Sequence, residues 1–229
     1  MSEHYVIAAS RPWSLAAFAE ARPRLPGKWA LVTSPADLAA VLAHAKPRYI
    51  FFPHWSHLVA KEVVESFECV CFHMTDLPYG RGGSPLQNLI ARGHRETKLT
   101  ALRMTDVVDA GPIYGKRPLS LAGSAEEIFG RVSSLICEMM EWIVAEEPEP
   151  TEQTGEPVHF TRRGPDESLL PSGADAQALY DHIRMLDAPG YPKAFLEHGG
   201  WRMEFEKAKL VGDRVEARVR FSRMRPRGE

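Results

Sequence analysis

Trp29-Ala-Leu-Val-Thr-Ser-Pro-Ala-Asp-Leu-Ala-Ala-Val-Leu-Ala-His-Ala-Lys-Pro-Arg-Tyr-Ile-Phe-Phe52 is the stretch on which the fold turns. Trp29 to Thr33 is a short apolar run of strand length. Ser34 then offers a capping oxygen, Pro35 a preset φ at the first helical position, and Asp37 a carboxylate in the first turn. Leu38, Val41, Leu42 and Ala45 form a stripe at helical spacing, and Arg48 to Phe52 returns to strand. Upstream, Tyr5 to Ala9 reads as a buried strand and Ser14 to Ala21 as a helix stopped by Pro23 and Pro26. Downstream, Leu58 to Phe67 is a third helix and Cys69 to His73 a fourth strand. Strands alternating with helices of this length imply right-handed crossovers and a parallel sheet. The expected fold is an open α/β sheet whose site lies at the carboxyl ends of its strands.

After His73 the rhythm breaks into a Gly- and Pro-rich loop, Leu77 to Pro85. A short helix (Leu86 to Arg92) and two strands (Thr97 to Met104, Ile113 to Leu119) follow. Ser124-Ala-Glu-Glu127 is a capping box, opening a helix whose face carries Ile128, Val132, Leu135, Ile136, Met139 and Ile143. Glu146 to Thr151 reads as a linker. The tail holds one helix, Ala174 to Leu186, and a hairpin of Trp201 to Ala208 and Val215 to Phe221. Two domains are therefore expected, residues 1–147 and a small α+β extension over 152–229. The long helix and the hairpin serve a homodimer or intrachain packing equally well.

Composition narrows the function classes. With 229 residues, 44% hydrophobic and 25% charged, the chain can bury a core. Lys+Arg 28 against Asp+Glu 30 leaves a net charge of −2, without the basic excess of a nucleic-acid binder, so no nucleic-acid partner is expected. Apolar stretches such as Tyr49 to Pro53 are too short to span a bilayer, and Met1 to Tyr5 has no signal-peptide character. Three cysteines are too few for a disulfide scaffold, so a cytoplasmic protein without membrane association is expected.

The chemistry-bearing segments are Cys71-Phe-His-Met-Thr-Asp-Leu-Pro-Tyr-Gly-Arg-Gly82 and Asp106-Val-Val-Asp-Ala-Gly-Pro-Ile113. The first puts His73 where a strand ends and a loop opens, and the second supplies Asp109. A histidine beside a carboxylate acts as a base or as an oriented hydrogen-bond donor. No serine stands in a nucleophile elbow, so covalent acyl transfer has little support. Cys69 and Cys71 share a strand face and read as core. His54 and His57 with Cys71 fit no zinc spacing, and no metal is expected. Gly80 to Gly83 lacks a dinucleotide fingerprint, which leaves loop flexibility. Tyr191, Phe195 and Trp201 read as a small-domain core.

These segments resemble the tetrahydrofolate-dependent formyltransferases. That family carries Asn-x-His, Ser-Leu-Leu-Pro, Arg-Gly and, further on, Asp-x-Gly-Pro-Ile. His73, Leu77-Pro78, Arg81-Gly82 and Pro85 fall in that register, Gly93, Thr97 and Thr100 continue it, and Asp109 to Ile113 completes it without a gap. The resemblance implies a Rossmann-like, mostly parallel sheet and transfer of a formyl group from N10-formyltetrahydrofolate to an amine. It assigns His73 to the oxyanion, and Asp109 to orienting His73 and moving the amine proton. The family's Asn is here Cys71, whose thiol is a weak donor. Three accounts stand open: Asn88 or Gln87 supplies the amide, His73 and backbone donors suffice, or the protein binds folate without efficient transfer. The family holds its pterin with two loops, here around Trp55, His57 and Leu58, and around Thr105, Asp106 and Val108.

For the acceptor, the tail is not notably basic but long enough for a small barrel; the overall charge argues against tRNA, and Ala9 to Trp13 is no Gly-rich phosphate loop. Phe160 to Arg163, Ile183 to Phe195 and the His73 to Pro85 loop resemble formyltransferases for nucleotide-linked amino sugars in surface-glycan pathways. That small-molecule acceptor is the expected one, with Thr75, Asp76, Tyr79, Arg81 and Arg162 as substrate contacts; for Arg81 and Arg162 a solvated face is an equal reading. The alternatives are a hydroxyornithine-type siderophore precursor, and a protein that binds or hydrolyses formyl-folate without transfer.

Overall fold

The computed structural model describes residues 3–224; the outermost ends of the two expected domains lie outside the described residues. The first elements are β1 (His4–Ala8), α1 (Pro12–Ala21), β2 (Lys28–Val32), α2 (Pro35–Leu42), β3 (Tyr49–Phe52), α3 (Lys61–Ser66) and β4 (Cys69–His73). Then come β5 (Tyr79–Gly82), α4 (Pro85–Ala91), β6 (Glu96–Arg103), β7 (Ile113–Ser120), α5 (Ala125–Glu146) and β8 (Val158–Phe160). The last are α6 (Ala176–Arg184), β9 (Ala194–His198), β10 (Trp201–Val211) and β11 (Arg214–Arg223).

The six-stranded sheet runs β2-β1-β3-β4-β6-β7. β1 pairs in parallel with β2 and β3, and β3 with β4, whereas β6 is antiparallel to β4. Every residue of β3 is buried, as a continuous apolar run between two neighbours demands, while β2 exposes part of its surface at the edge. Ser34 caps α2 as its sequence promised, its Oγ accepting from the Asp37 N–H at 3.1 Å. The Ser124–Glu127 capping box closes at 2.7 and 3.3 Å. On one side of the sheet Val6, Ala8, Val32, Leu38, Ile50, Phe52 and Cys69 form a core cluster.

The chain divides into two compact units, but not near residue 150. The first takes the chain to Pro85, then Thr97–Leu119 and Phe129–Phe160; the second takes Leu86–Glu96, Ser120–Ile128 and the chain from Thr161. Residues 151–160 are part of the first unit because they pair with it. Thr151 and Ile113 exchange backbone hydrogen bonds at 2.7 and 2.9 Å, and β8 lies parallel to β5. The expected loop over 77–85 thus contains a strand. Gly82 is there for closeness rather than flexibility: a Cβ on it would lie 2.5 Å from the Phe160 carbonyl oxygen.

In the second unit the tail hairpin extends beyond its expected ends. β10 passes through a bulge between Glu206 and Lys209 and meets β11 across Gly212-Asp213, while β9 pairs on its other side. Lys207 takes φ +54° in the bulge, and its N–H donates to Asp187 at 2.7 Å. Of the residues read as core, Phe195 is buried, but Trp201 is 39% exposed, with the Arg223 guanidinium 5.2 Å from its ring. Arg184 is buried and donates to Asp181 at 2.6 Å, the Leu121 carbonyl at 2.5 Å and the Gly123 carbonyl at 2.8 Å. Truncating it strands a carboxylate and two carbonyls. Arg184→Ala is expected to cost about 3 kcal/mol by urea unfolding, the low end for a broken buried pair, because Arg95 and Gln177 still face Asp181. A cost under about 1 kcal/mol would show the cluster to be dispensable.

Candidate functional site

His73 ends β4, with Thr100 of β6 opposite it. The Thr100 hydroxyl donates to the Thr75 carbonyl at 2.7 Å, which holds the turn that follows. The imidazole is 9% exposed, its Nε2 is 2.7 Å from the Gly80 carbonyl oxygen, and its Nδ1 is 3.4 Å from Asp109 Oδ2. That carboxylate oxygen also accepts the Gly82 N–H at 2.9 Å. A carbonyl oxygen only accepts, so Nε2 carries a proton. Nδ1 then faces a carboxylate, and the contact is attractive only if the pair holds one further proton between them.

Asp109 reaches His73 from an excursion between Arg103 and Pro112, which close on each other through a 2.9 Å backbone hydrogen bond. Its own backbone is left-handed, φ +55°, a conformation that aspartate tolerates better than most residues. Gly111 permits the return: a Cβ there would fall 1.9 Å from the Arg103 carbonyl oxygen.

Several expected contacts prove to be committed within the protein. Thr75 is fully buried, its hydroxyl 3.4 Å from the Gly80 carbonyl. Asp76 binds Lys116 at 2.5 Å and Lys98 at 2.9 Å. Burial would raise its carboxyl, but the hydrogen bonds from Lys116 and Lys98 outweigh that and hold it below the ordinary value. Tyr79 sets its ring edge-on to Phe160 at 5.4 Å. Arg81 gives its guanidinium to Gln153, and Arg162 is exposed in the second unit. Asn88, the expected replacement amide, donates to the Thr161 carbonyl at 2.9 Å and accepts from Arg92 at 2.9 Å. Gln87 likewise donates to the Met185 carbonyl at 3.0 Å. Both amides are structural members of the second unit, so neither is carried forward as an oxyanion donor.

The two expected cofactor loops are rooted on one sheet face: Trp55 and Val59 from one, and Met104 leading into the other, pack on the same core cluster together with Cys71. Trp55 meets His57 edge-on at 5.0 Å, and its buried Nε1–H has no hydrogen-bond partner. Leu58, Val107 and Val108 are strongly exposed, Thr105 bonds the Val107 carbonyl at 3.0 Å, and Asp106 is exposed. His54 is enclosed by Trp13 and Phe129; burial, and then the Arg11 guanidinium, lower it to about 4. It is neutral near pH 7. Among the described residues no group of His, Cys, Asp and Glu gathers as a metal site, and no helix is long and apolar enough to cross a membrane.

This histidine-aspartate arrangement coincides with a family match. The profile "Formyl transferase" matches residues 8–132, more than half of the chain. The chain belongs to the formyl transferase family. The profile "Methionyl-tRNA formyltransferase, C-terminal domain" matches residues 165–222 of this family member. A solved structure from Clostridium thermocellum titled methionyl-tRNA formyltransferase is 40% identical, with TM-score 0.93, covering 96% of this chain and 99% of that one. The Campylobacter curvus protein named methionyl-tRNA formyltransferase is 26% identical over 76% of this chain and 59% of its own length. The chain thus spans little more than half of the curated relatives it matches. A sugar N-formyltransferase from Shewanella is only 15% identical, with TM-score 0.66 over 91% of this chain and 99% of that one, and shares the fold alone. The expected amino-sugar acceptor is therefore overturned: the relatives with real sequence similarity carry the methionyl-tRNA name.

Gln153 and Lys116 were missed by sequence reading. Gln153 lies just past the stretch that resembles a linker, and Lys116 (2.5 Å from the Leu77 carbonyl) on an unremarkable strand. Of the two thiols read as core, Cys69 is buried and Cys71 partly so, and Cys137 is buried as well. Burial pushes Cys137 up to about 11 and Cys69 to about 12; Cys71 goes higher still, through burial and then the Asp109 carboxylate. Ellman's reagent at pH 8 is expected to find essentially no reactive thiol in the folded protein, and all three cysteines in guanidinium. Rapid labelling of Cys71 in the native state would contradict this picture.

Proposed function

We propose that the protein transfers a formyl group from N10-formyltetrahydrofolate to a primary amine, with methionyl-tRNA as acceptor. The observation that carries this reading is the His73–Asp109 pair, with Nδ1 3.4 Å from the carboxylate, in a member of the formyl transferase family. The loops around Trp55 and Thr105 suit a flat heteroaromatic ligand, because exposed Leu58, Val107 and Val108 offer apolar contact. When bound, the folate supplies an activated formyl carbon. Asp109 takes the proton of the attacking amine, and a proton passes to the folate nitrogen as its bond to the formyl carbon breaks, so that tetrahydrofolate leaves. The His73 Nε2–H exchanges the Gly80 carbonyl for the formyl oxygen and stabilises the charge that develops there. Cys71 stays protonated, so it adds no second anion beside Asp109 and at most a weak donor. Of the three accounts of its place in the motif, reliance on His73 and backbone donors is the one supported here, because both candidate amides are engaged elsewhere.

The acceptor rests on the relatives and on local charge. A net charge near zero argued against nucleic acid, but phosphates respond to the local field. Residues 201–224 hold seven Lys and Arg against four Asp and Glu. Arg214 and Arg218 there are 87% and 64% exposed.

Purified protein with N10-formyltetrahydrofolate and methionyl-tRNA is expected to release tetrahydrofolate and yield formylmethionyl-tRNA by mass. His73→Ala should lower kcat about 10²- to 10³-fold, the usual loss of one oxyanion donor. Tetrahydrofolate release without formylated tRNA, or undiminished turnover in His73→Ala, would remove the reading. The paired change Arg218→Glu with Arg220→Glu should raise KM for methionyl-tRNA about tenfold at 0.1 M salt, and flatten the salt dependence, with kcat within about twofold. An unchanged KM would take the hairpin out of acceptor binding.

A further inference from the structure

The segment that follows α5 carries one side chain whose hydrogen-bonding capacity is entirely used. Gln153 Nε2 donates to the carbonyls of Asp109 and Gly111, both at 2.8 Å. Its Oε1 accepts Arg81 Nε at 3.2 Å and a terminal guanidinium nitrogen at 2.8 Å. A primary amide has two N–H donors and two acceptor sites, so nothing is left over. Two residues earlier, Thr151 is fixed by its paired backbone bonds to Ile113. The amide is thus presented from an anchored backbone to the two carbonyls that flank Ala110. Those carbonyls fix the 109–110 and 111–112 peptides, which follow the left-handed Asp109 directly, and the Asp109 orientation decides whether its carboxylate meets Gly82 N–H and His73 Nδ1.

We propose that Gln153 is a positioning residue for proton transfer: by bridging the Asp109 and Gly111 carbonyls, while Arg81 holds its oxygen, it sets the Asp109 carboxylate against His73. The inference rests on the formyl-transfer reading and deepens it. The chemistry of the amide separates this role from mere filling of space. Gln153→Glu would keep the length and the oxygen facing Arg81, but would put a second oxygen against two carbonyls. Gln153→Met would keep the length and lose both sides.

Gln153→Glu and Gln153→Met are therefore compared with the wild type for kcat, KM, pH–rate profile and thermal midpoint. Gln153→Glu should lower kcat about 30- to 100-fold, with KM for each substrate within about threefold and the midpoint within a few degrees, as expected for lost orientation rather than lost binding. The kcat–pH profile should change as well, because the contact between Asp109 and His73 depends on the Asp109 position. Gln153→Met should lose kcat in the same sense. The His73 imidazole 15N resonances, assigned by their loss in His73→Ala, give a readout independent of turnover. Their pH titration should differ between wild type and Gln153→Glu. Wild-type kcat, pH profile and His73 titration in both variants would overturn the proposal. So would losses that merely track a collapsed thermal midpoint, which would make Gln153 a structural tie. A wild-type protein that transfers no formyl group would defeat the functional reading alone, and the imidazole titration would still decide the role of Gln153.

Discussion

Asp109 must place its carboxylate against a histidine on another strand while its own backbone turns left-handed, and much of the first unit answers that demand. The excursion that carries it is pinched shut by Arg103 and Pro112 and passes so close to β6 that only glycine fits at 111. The carboxylate is met by the Gly82 N–H, and Gly82 is in place because β5 lies against β8, backbone to backbone. His73 is held at the far end of the same connection, on a strand locked by the Thr100 pairing. Removing any of these contacts frees the carboxylate to seek water, where its attraction to an imidazole is weak.

The Asp109 carboxylate explains why the cysteine two residues before His73 is compatible with the site. Asp109 already brings one negative charge into a mostly enclosed place. A thiolate beside it would be a second, and both burial and Asp109 hold the Cys71 proton on. Cys71 packs instead with Trp55 and Met104 on the core cluster, so this position behaves as part of the apolar floor beneath the site. Transition-state stabilisation in the proposed reaction then falls on the His73 N–H, which in the structure is kept oriented by the Gly80 carbonyl.

What could be read from sequence divides along physical lines. Local signals were sufficient for Ser34, for the Ser124–Glu127 box and for the limits of β4, because a cap or a strand end is decided by neighbours within a few residues. The spacing of His73 and Asp109 carried their pairing only through resemblance; no periodicity links positions 36 residues apart across an excursion. Gln153 was invisible for the same reason, since its partners Arg81 and Asp109 lie 72 and 44 residues away. The glycines of the loop after β4 suggested flexibility because the steric wall that requires one of them, Phe160, belongs to a strand of three residues with no signature of its own. The same blindness moved the unit boundary: proline and glutamate between α5 and β8 mark an extended segment, but composition cannot say whether that segment is free or pinned.

For the proposed acceptor, a global number answers the wrong question. Charge summed over 229 residues gives −2, but screening confines electrostatic influence to about 10 Å at 0.1 M salt, so a phosphate near β10 and β11 senses only the side chains around it. There the alternation of the strands gathers Arg202, Glu204 and Glu206 on one face with Arg218 and Arg220 opposite, while the second face carries Trp201, Met203 and Phe221. A hairpin with one charged and one aromatic face, and Arg223 over Trp201, offers backbone charge neutralisation and base stacking from adjacent surfaces. Neither quality depends on the protein as a whole being basic. A small net charge is therefore no argument against an aminoacyl-tRNA acceptor, whereas the arrangement of charge on a short antiparallel sheet is a physical reason to expect one.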